Sequence, residues 1–215
     1  MNPKDEPVTV KQLSDEELAA EAQAGSRHCF EQLVYRYTRR LFYYIRPKMS
    51  TDQDTEDIIQ ETFIRTYRHI SRYDSRYKFS TWLYTVAARL VISYYRKKRI
   101  REIVFLTADP VPETREPHDP PDPQDPHERL EQEEEARNLW NLARTLQPDQ
   151  YQALWLRYIE DLSLKEIAGV MKKTQVHIRV LLHRARLNLV KQINPAALPR
   201  ISKEAAPARV RVSFL

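Results

Sequence analysis

The sequence predicts an all-α protein of two small helical domains joined by an extended, Pro- and acid-rich linker. Three observations carry that expectation. Only two of the 215 residues are Gly, so few positions suit the positive φ angles that hairpin-rich sheets, Gly-rich phosphate loops and Rossmann turns require. Apolar residues recur at helical intervals through both halves of the chain. Seven of the fourteen prolines (Pro110, Pro112, Pro117, Pro120, Pro121, Pro123 and Pro126) lie between Thr107 and Glu128, interleaved with Asp and Glu. A segment so poor in apolar groups has nothing to bury, and it reads as a tether.

Residues 1–12 read as a loose tail. Ser14 followed by Glu17 has capping-box spacing, and Leu18, Ala22, Phe30, Leu33, Val34, Tyr37, Leu41 and Ile45 continue in helical phase. Gly25-Ser26 splits this run into two helices, and Pro47 ends the second. Asp54 suits the N-cap of a third helix with Ile59, Phe63, Tyr67 and Ile70 inward. A fourth helix, about Ser80 to Arg99, buries Leu83, Val86, Leu90 and Tyr94. The first domain therefore spans 13–103, the linker 104–129 and the second domain 130–193. In that second domain the sequence predicts helices over Leu130–Leu146 and Gln150–Ile159. Ser163 with Glu166 then opens a short helix with Leu164, Ile167, Ala168 and Met171 inward. Lys172-Lys173 turns the chain, and Thr174 caps a last helix that buries Ile178, Leu181, Leu182, Ala185 and Leu189. Residues 194–215 read as a basic, unstructured tail.

Several classes of function fall away. A single Cys29 excludes an intrachain disulfide and any multi-Cys metal site. Six scattered His show no metal-ligand spacing, and His177 and His183 lie too far apart for an i, i+4 pair. The carboxylates of 54–61 lack the second acidic cluster that a two-metal nuclease needs. No catalysis, cofactor, metal or small-molecule substrate is expected. The N-terminus is acidic with no apolar core, and no apolar run approaches the roughly 20 residues of a membrane span. A cytoplasmic protein without membrane insertion is expected.

What remains is nucleic-acid chemistry. From Asp54 to Arg101 an acidic start leads to an aromatic middle and a run of positive charge at Arg96, Lys97, Lys98, Arg99 and Arg101. Aromatic rings stack on unpaired bases, and Lys and Arg neutralise phosphates. The same stretch also reads as a helical hairpin with a Tyr and Trp core and a solvated basic end. Residues 163–190 have the short helix, tight turn and longer helix of a helix-turn-helix, whose second helix enters the major groove. Arg179, His183, Arg184, Arg186 and Asn188 are its polar positions. Helix pairs of this spacing also occur in plain bundles. Formal charge is +5, compatible with a polyanion partner.

The two modules together resemble the extracytoplasmic-function (ECF) sigma factors of bacterial RNA polymerase, within the sigma-70 family. The string DTEDIIQETFIRTYRHISRYD looks like the family's region 2.2 to 2.3, and KFSTWLYTVAARLVISYYRKKR like region 2.4. LQPDQYQALWLRYIEDLSLKEIAGVM followed by LLHRARLNL looks like region 4. The resemblance implies a transcription initiation factor whose Asp57, Gln60 and Glu61 dock on the β′ clamp helices of core polymerase. It implies that Tyr73, Tyr77, Lys78 and Phe79 capture a base flipped from the −10 element, with Arg89, Arg96, Lys97, Lys98 and Arg99 nearby on DNA. Trp82 and Phe63 are expected in the core. It further implies that Thr174, His177, Arg179, His183, Arg184 and Arg186 read −35 duplex DNA while earlier helices cover the β flap. The linker would thread toward the polymerase cleft and RNA exit path, and an anti-sigma factor would be a partner. The chain departs from the pattern at Val180 and Leu181, where the family carries Ser and Arg, and at Lys172-Lys173, where Gly is common. Arg89 and Ser93 stand where region 2.4 often has Asn and Asp. Two other readings stay open: a stand-alone helix-turn-helix regulator, and a degenerate sigma-like interaction protein.

Overall fold

The computed structural model describes residues 13–104 and 139–193, with side chains through Arg99 in the first span. The N-terminal tail, the linker beyond Val104, the start of the helix expected at Leu130, the Arg101 side chain and the C-terminal tail lie outside the described residues. The fold is all-α. No helix among the described residues is long and apolar enough to cross a membrane.

The first module is four helices: α1 (Asp15–Gln23), α2 (Arg27–Ile45), α3 (Asp52–Arg68) and α4 (Phe79–Val104). Ser14 caps α1 in a reciprocal box with Glu17: the Glu17 amide donates to the Ser14 hydroxyl, and Ser14 donates back to the carboxylate. These hydrogen bonds, from the Ser14 backbone amide first, hold the Glu17 carboxyl below its ordinary range. Gly25 adopts φ +105°, the left-handed turn that Gly tolerates without steric cost. Ser26 then caps α2. Pro47 sits inside a 3-10 turn, Arg46–Lys48, that ends α2.

The expected cap of α3 is corrected. Thr51, not Asp54, is the N-cap; its hydroxyl accepts from the Asp54 amide at 3.0 Å. The inward face is corrected too. Thr55, Ile58, Ile59, Thr62, Phe63 and Thr66 are buried, whereas Tyr67 is 48% exposed beside Phe30. Thr55 and Thr62 can line a core because their hydroxyls donate to backbone carbonyls one turn back, to Thr51 at 3.0 Å and to Ile58 at 2.6 Å, whereas the buried Thr66 hydroxyl has no hydrogen-bond partner among the described residues. Phe63 is buried and Trp82 half-buried among Tyr73 and Phe79.

In the second module residues 139–143 are helical. They are followed by α5 (Pro148–Tyr158), α6 (Leu164–Met171) and α7 (Gln175–Ile193). Pro148 occupies the first turn of α5, where its missing N–H costs nothing. The Ser163–Glu166 capping box opens α6 as expected. Lys172 takes φ +52° at its end, doing in left-handed backbone what a Gly would do more cheaply. Thr174 accepts from the His177 amide at 3.2 Å and so starts α7.

The modules are not separate beads. Helix α6 lies against α4, and α5 against the end of α2. The seam is partly apolar and aromatic, with Tyr43 tilted on Trp155 at 5.9 Å. It is also strongly polar, as described next.

Candidate functional site

Three surfaces carry the groups singled out from the sequence. The first is the outward face of α3. Asp57 and Gln60 are exposed and Glu61 is half-buried, all turned from the core by the phase of Ile58, Ile59 and Thr62. Asp57 accepts from the Gln53 amide at 3.1 Å, and Glu61 pairs with Arg65 at 2.5 Å one turn on. Sequence reasoning missed Ile64. It is 44% exposed and falls at i+7 from Asp57, at the centre of the same face. The i, i+3, i+4, i+7 series 57, 60, 61, 64 was available as a signal.

The second surface is the loop into α4. Tyr77 is 63% exposed, and Lys78 is exposed as well. Tyr73 and Phe79, expected to line a base pocket, are corrected: they are 6% and 0% exposed and pack edge to face at 5.6 Å. Burial also pushes the Tyr73 hydroxyl well above its ordinary pKa, and it donates to the Tyr77 carbonyl at 2.6 Å. Their rings have no free face for a base in this conformation; they brace the loop that presents Tyr77. Helix α1 fixes the loop from behind. The Gln23 amide donates to the carbonyls of Ile70 and Tyr73, both at 2.7 Å, and Glu16 accepts from the Phe79 amide at 3.0 Å, capping α4. Along α4, Arg89, Arg96, Lys97 and Arg99 are exposed, and Lys98 is half-buried with its ammonium 3.4 Å from the Ser50 hydroxyl.

The third surface is α7. Thr174, His177, Arg179, His183, Arg184 and Arg186 are all exposed. Arg186 is not free: it donates to the Tyr158 hydroxyl at 2.5 Å and lies over that ring at 5.8 Å. Of the two apolar departures, Leu181 is 8% exposed and belongs to the core, while Val180 is 41% exposed and faces outward. Asn188, expected on the DNA face, instead donates to Gln150 at 3.1 Å.

The seam between the modules was not foreseen. Glu160 has a fully buried side chain 2.9 Å from the Arg40 guanidinium. Its carboxylate accepts from the Tyr84 hydroxyl at 2.6 Å, and the Trp155 indole donates to that hydroxyl at 3.3 Å. Burial pushes the Glu160 carboxyl above the usual range, against the opposing pull of Arg40. At the next residue, Asp161 (φ +46°) offers its carbonyl to Lys78 at 2.6 Å. Thr81 donates to Glu166 at 3.0 Å, and Asp149 sits between Lys48 and Lys173 at 2.9 and 3.0 Å. Burial alone would raise the Asp149 carboxyl, but those two ammonium groups outweigh it and hold the carboxyl low. No grouping of His, Cys, Asp and Glu able to hold a metal exists among the described residues.

Comparison with known proteins decides the family. Residues 29–100 match Sigma-70 region 2, and residues 136–189 match Sigma-70, region 4. The ECF sigma factor SigW of Bacillus subtilis is 30% identical over 180 residues, covering 80% of this chain and 93% of that protein. The chain belongs to the ECF sigma factors.

BldN of Streptomyces coelicolor, another ECF sigma factor, is 30% identical over 174 residues; the match covers 79% of this chain and 62% of BldN. Among solved structures, CnrH in complex with the cytosolic domain of CnrY superposes with a TM-score of 0.53 at 21% identity, over 85% of this chain and 99% of CnrH. The sigma factor RpoE of Bartonella quintana, solved with the anti-sigma factor NepR, gives 0.53 at 19% identity, over 76% and 94%. These two share the fold. As a sigma factor, the protein directs RNA polymerase in transcription initiation.

Proposed function

We propose that this sigma factor grips core polymerase with α3, opens the −10 element with the α4 side of the first module and reads −35 duplex with α7. The division of labour follows the domains read from the sequence: 13–103 for polymerase and the −10 element, 104–129 as linker, 130–193 for the −35 element. The 1–12 and 194–215 segments lie to either side.

The observation that carries this reading is the outward display, on one chain, of three chemically different faces. An acidic and polar face with a central Ile64 suits a protein partner, because carboxylates there would repel phosphates. The exposed ring of Tyr77 next to Lys78, with Arg96, Lys97 and Arg99 on the same helix as Arg89, suits an unpaired strand: one ring to stack, several cations for phosphates. Helix α7 carries Arg179, Arg184, Arg186 and Lys191 and no carboxylate, which suits a duplex groove. The −10 set contracts from the sequence expectation to Tyr77, Lys78, Arg89 and the basic end of α4, with Tyr73 and Phe79 as supports. Polymerase contacts are proposed for Asp57, Gln60, Glu61 and Ile64 on the β′ clamp helices, and the β flap is proposed to meet the second module. An anti-sigma partner is proposed on the example of RpoE, whose structure was solved with the anti-sigma factor NepR. A cytoplasmic site of action follows from that role.

Reconstituted transcription with purified core polymerase over a random promoter library tests the reading. Two separated conserved blocks in the productive promoters are expected. Transcription that never exceeds core enzyme alone, from any template, would overturn it.

A further inference from the structure

We propose that Val176 and Val180 read thymine methyl groups on the floor of the major groove, making α7 a thymine-selective reader of the −35 element. The inference rests on the proposal that α7 binds −35 duplex, and it names what that helix recognises there.

Helix rotation is set by the buried stripe Ile178, Leu181, Leu182 and Ala185. At about 100° per residue, the direction opposite that stripe runs through Val176, His183, Leu187 and Val180. The two valines are 66% and 41% exposed, and they stand in the first two turns of α7, the part of such a helix that meets base edges. Gln175 and Arg179 lie on one side of this line, and His177 and Arg184 on the other, all exposed. The face is thus apolar at Val176, Val180 and Leu187 along its middle, with His183 between them, and it carries the cations Arg179 and Arg184 on its two margins. A major groove has the matching section: phosphate walls, and a floor of hydrogen-bonding edges interrupted by one apolar group, the thymine C5 methyl. Valine has no donor or acceptor, so facing any other base edge it would strip water from polar groups without replacing their hydrogen bonds. Against a methyl it buries apolar surface instead.

The absence of any carboxylate from α7 suits a polyanion such as DNA rather than a basic or apolar protein partner for this face. Spacing adds a constraint. Residues four apart on a helix advance about 6 Å, roughly two base steps at ~3.4 Å each. The two thymines, on either strand, therefore lie about two steps apart.

The test uses holoenzyme assembled from the full chain and core polymerase. A −35 element is first selected from a random duplex library, and each thymine in it is then replaced singly by deoxyuridine, which removes only the methyl. Two positions are expected to lose binding about fourfold each, the factor that burial of one methyl corresponds to. Val176→Ser should abolish the response at one of them and Val180→Ser at the other, with circular dichroism unchanged because both side chains are exposed. If an element is selected but deoxyuridine is tolerated at every position, the methyl reading is wrong while −35 recognition stands. Should the serine variants keep full sensitivity to deoxyuridine, other residues read the methyls and the assignment fails. If no −35 sequence is enriched at all, duplex recognition by α7 fails and this inference with it.

Discussion

Glu160 and Asp57 are both acids on helical modules of one chain, and their surroundings are opposite. Glu160 is sealed in the seam, its charge met by Arg40 and the Tyr84 hydroxyl. Asp57 stands in solvent with only an amide beside it. A buried carboxylate is costly to place and costlier to leave unpaired, so its partners determine how the modules sit. An exposed one contributes little to stability and keeps its charge for a visitor. Burial, more than residue type, separates the acids that hold this molecule together from those that can hold a partner.

Charge reversal on the exposed set gives the largest effect. Asp57→Lys with Glu61→Lys should weaken association with core polymerase by at least about 3 kcal/mol in a pull-down or fluorescence titration. The thermal midpoint should move by less than the equivalent of about 0.5 kcal/mol. A large fall in the midpoint would mean that the α3 face is structural, and the contrast would be lost.

On the buried side, Glu160→Ala should cost roughly 1–3 kcal/mol by stranding Tyr84 and Arg40, a fall of about 2–12 °C in thermal midpoint for a chain of this size. Glu160→Gln, which keeps an acceptor for Tyr84, should cost less. The pH dependence sharpens the point. The folded pKa of Glu160 is raised by burial, so its contribution to stability is full below the unfolded carboxyl value and declines as pH climbs through the raised one. Asp149 runs the other way: its carboxyl is held low, so its contribution is present above the unfolded value and lost as pH falls through the depressed one. Melts from about pH 4 to 8 should therefore show a smaller alkaline decline in Glu160→Gln than in the parent.

Two smaller effects probe the helix-turn-helix between these extremes. Ser163→Ala removes the α6 capping box and should cost about 1 kcal/mol in a denaturant titration. Lys172→Gly relieves a left-handed residue and should add about 0.5–1 kcal/mol. A loss on that substitution would mean that the Lys172 side chain, rather than its backbone, matters to the turn.

Much of this was legible in the residues. Ser14–Glu17 and Ser163–Glu166 became reciprocal caps because capping chemistry is local, complete within four residues. The 3.6-residue period of Leu33, Tyr37 and Leu41 or of Ile178, Leu182 and Ala185 named buried faces correctly. Local reading failed where the environment came from elsewhere in the chain. Tyr73 and Phe79 look like stacking groups in a loop until α1 closes over them, and Tyr67 looks like core until α3 rotates toward its threonines. Leu181 and Val180 are neighbours in sequence, but the packing of α5 and α6 against α7 buries one and leaves the other facing out.

By itself the sequence determined the helices, the capping boxes at Ser14 and Ser163, the family and the charge carried on the exposed faces. These depend on periodicity and on short-range hydrogen bonds, which a linear string records. Only tertiary structure decided that Glu160, Arg40, Tyr84 and Trp155 meet, that Lys78 lies on Asp161, and which aromatic rings keep an open face. Those contacts join residues 71 to 120 positions apart. Their energies depend on how much water each group loses, a quantity set by every neighbour at once and by no motif alone.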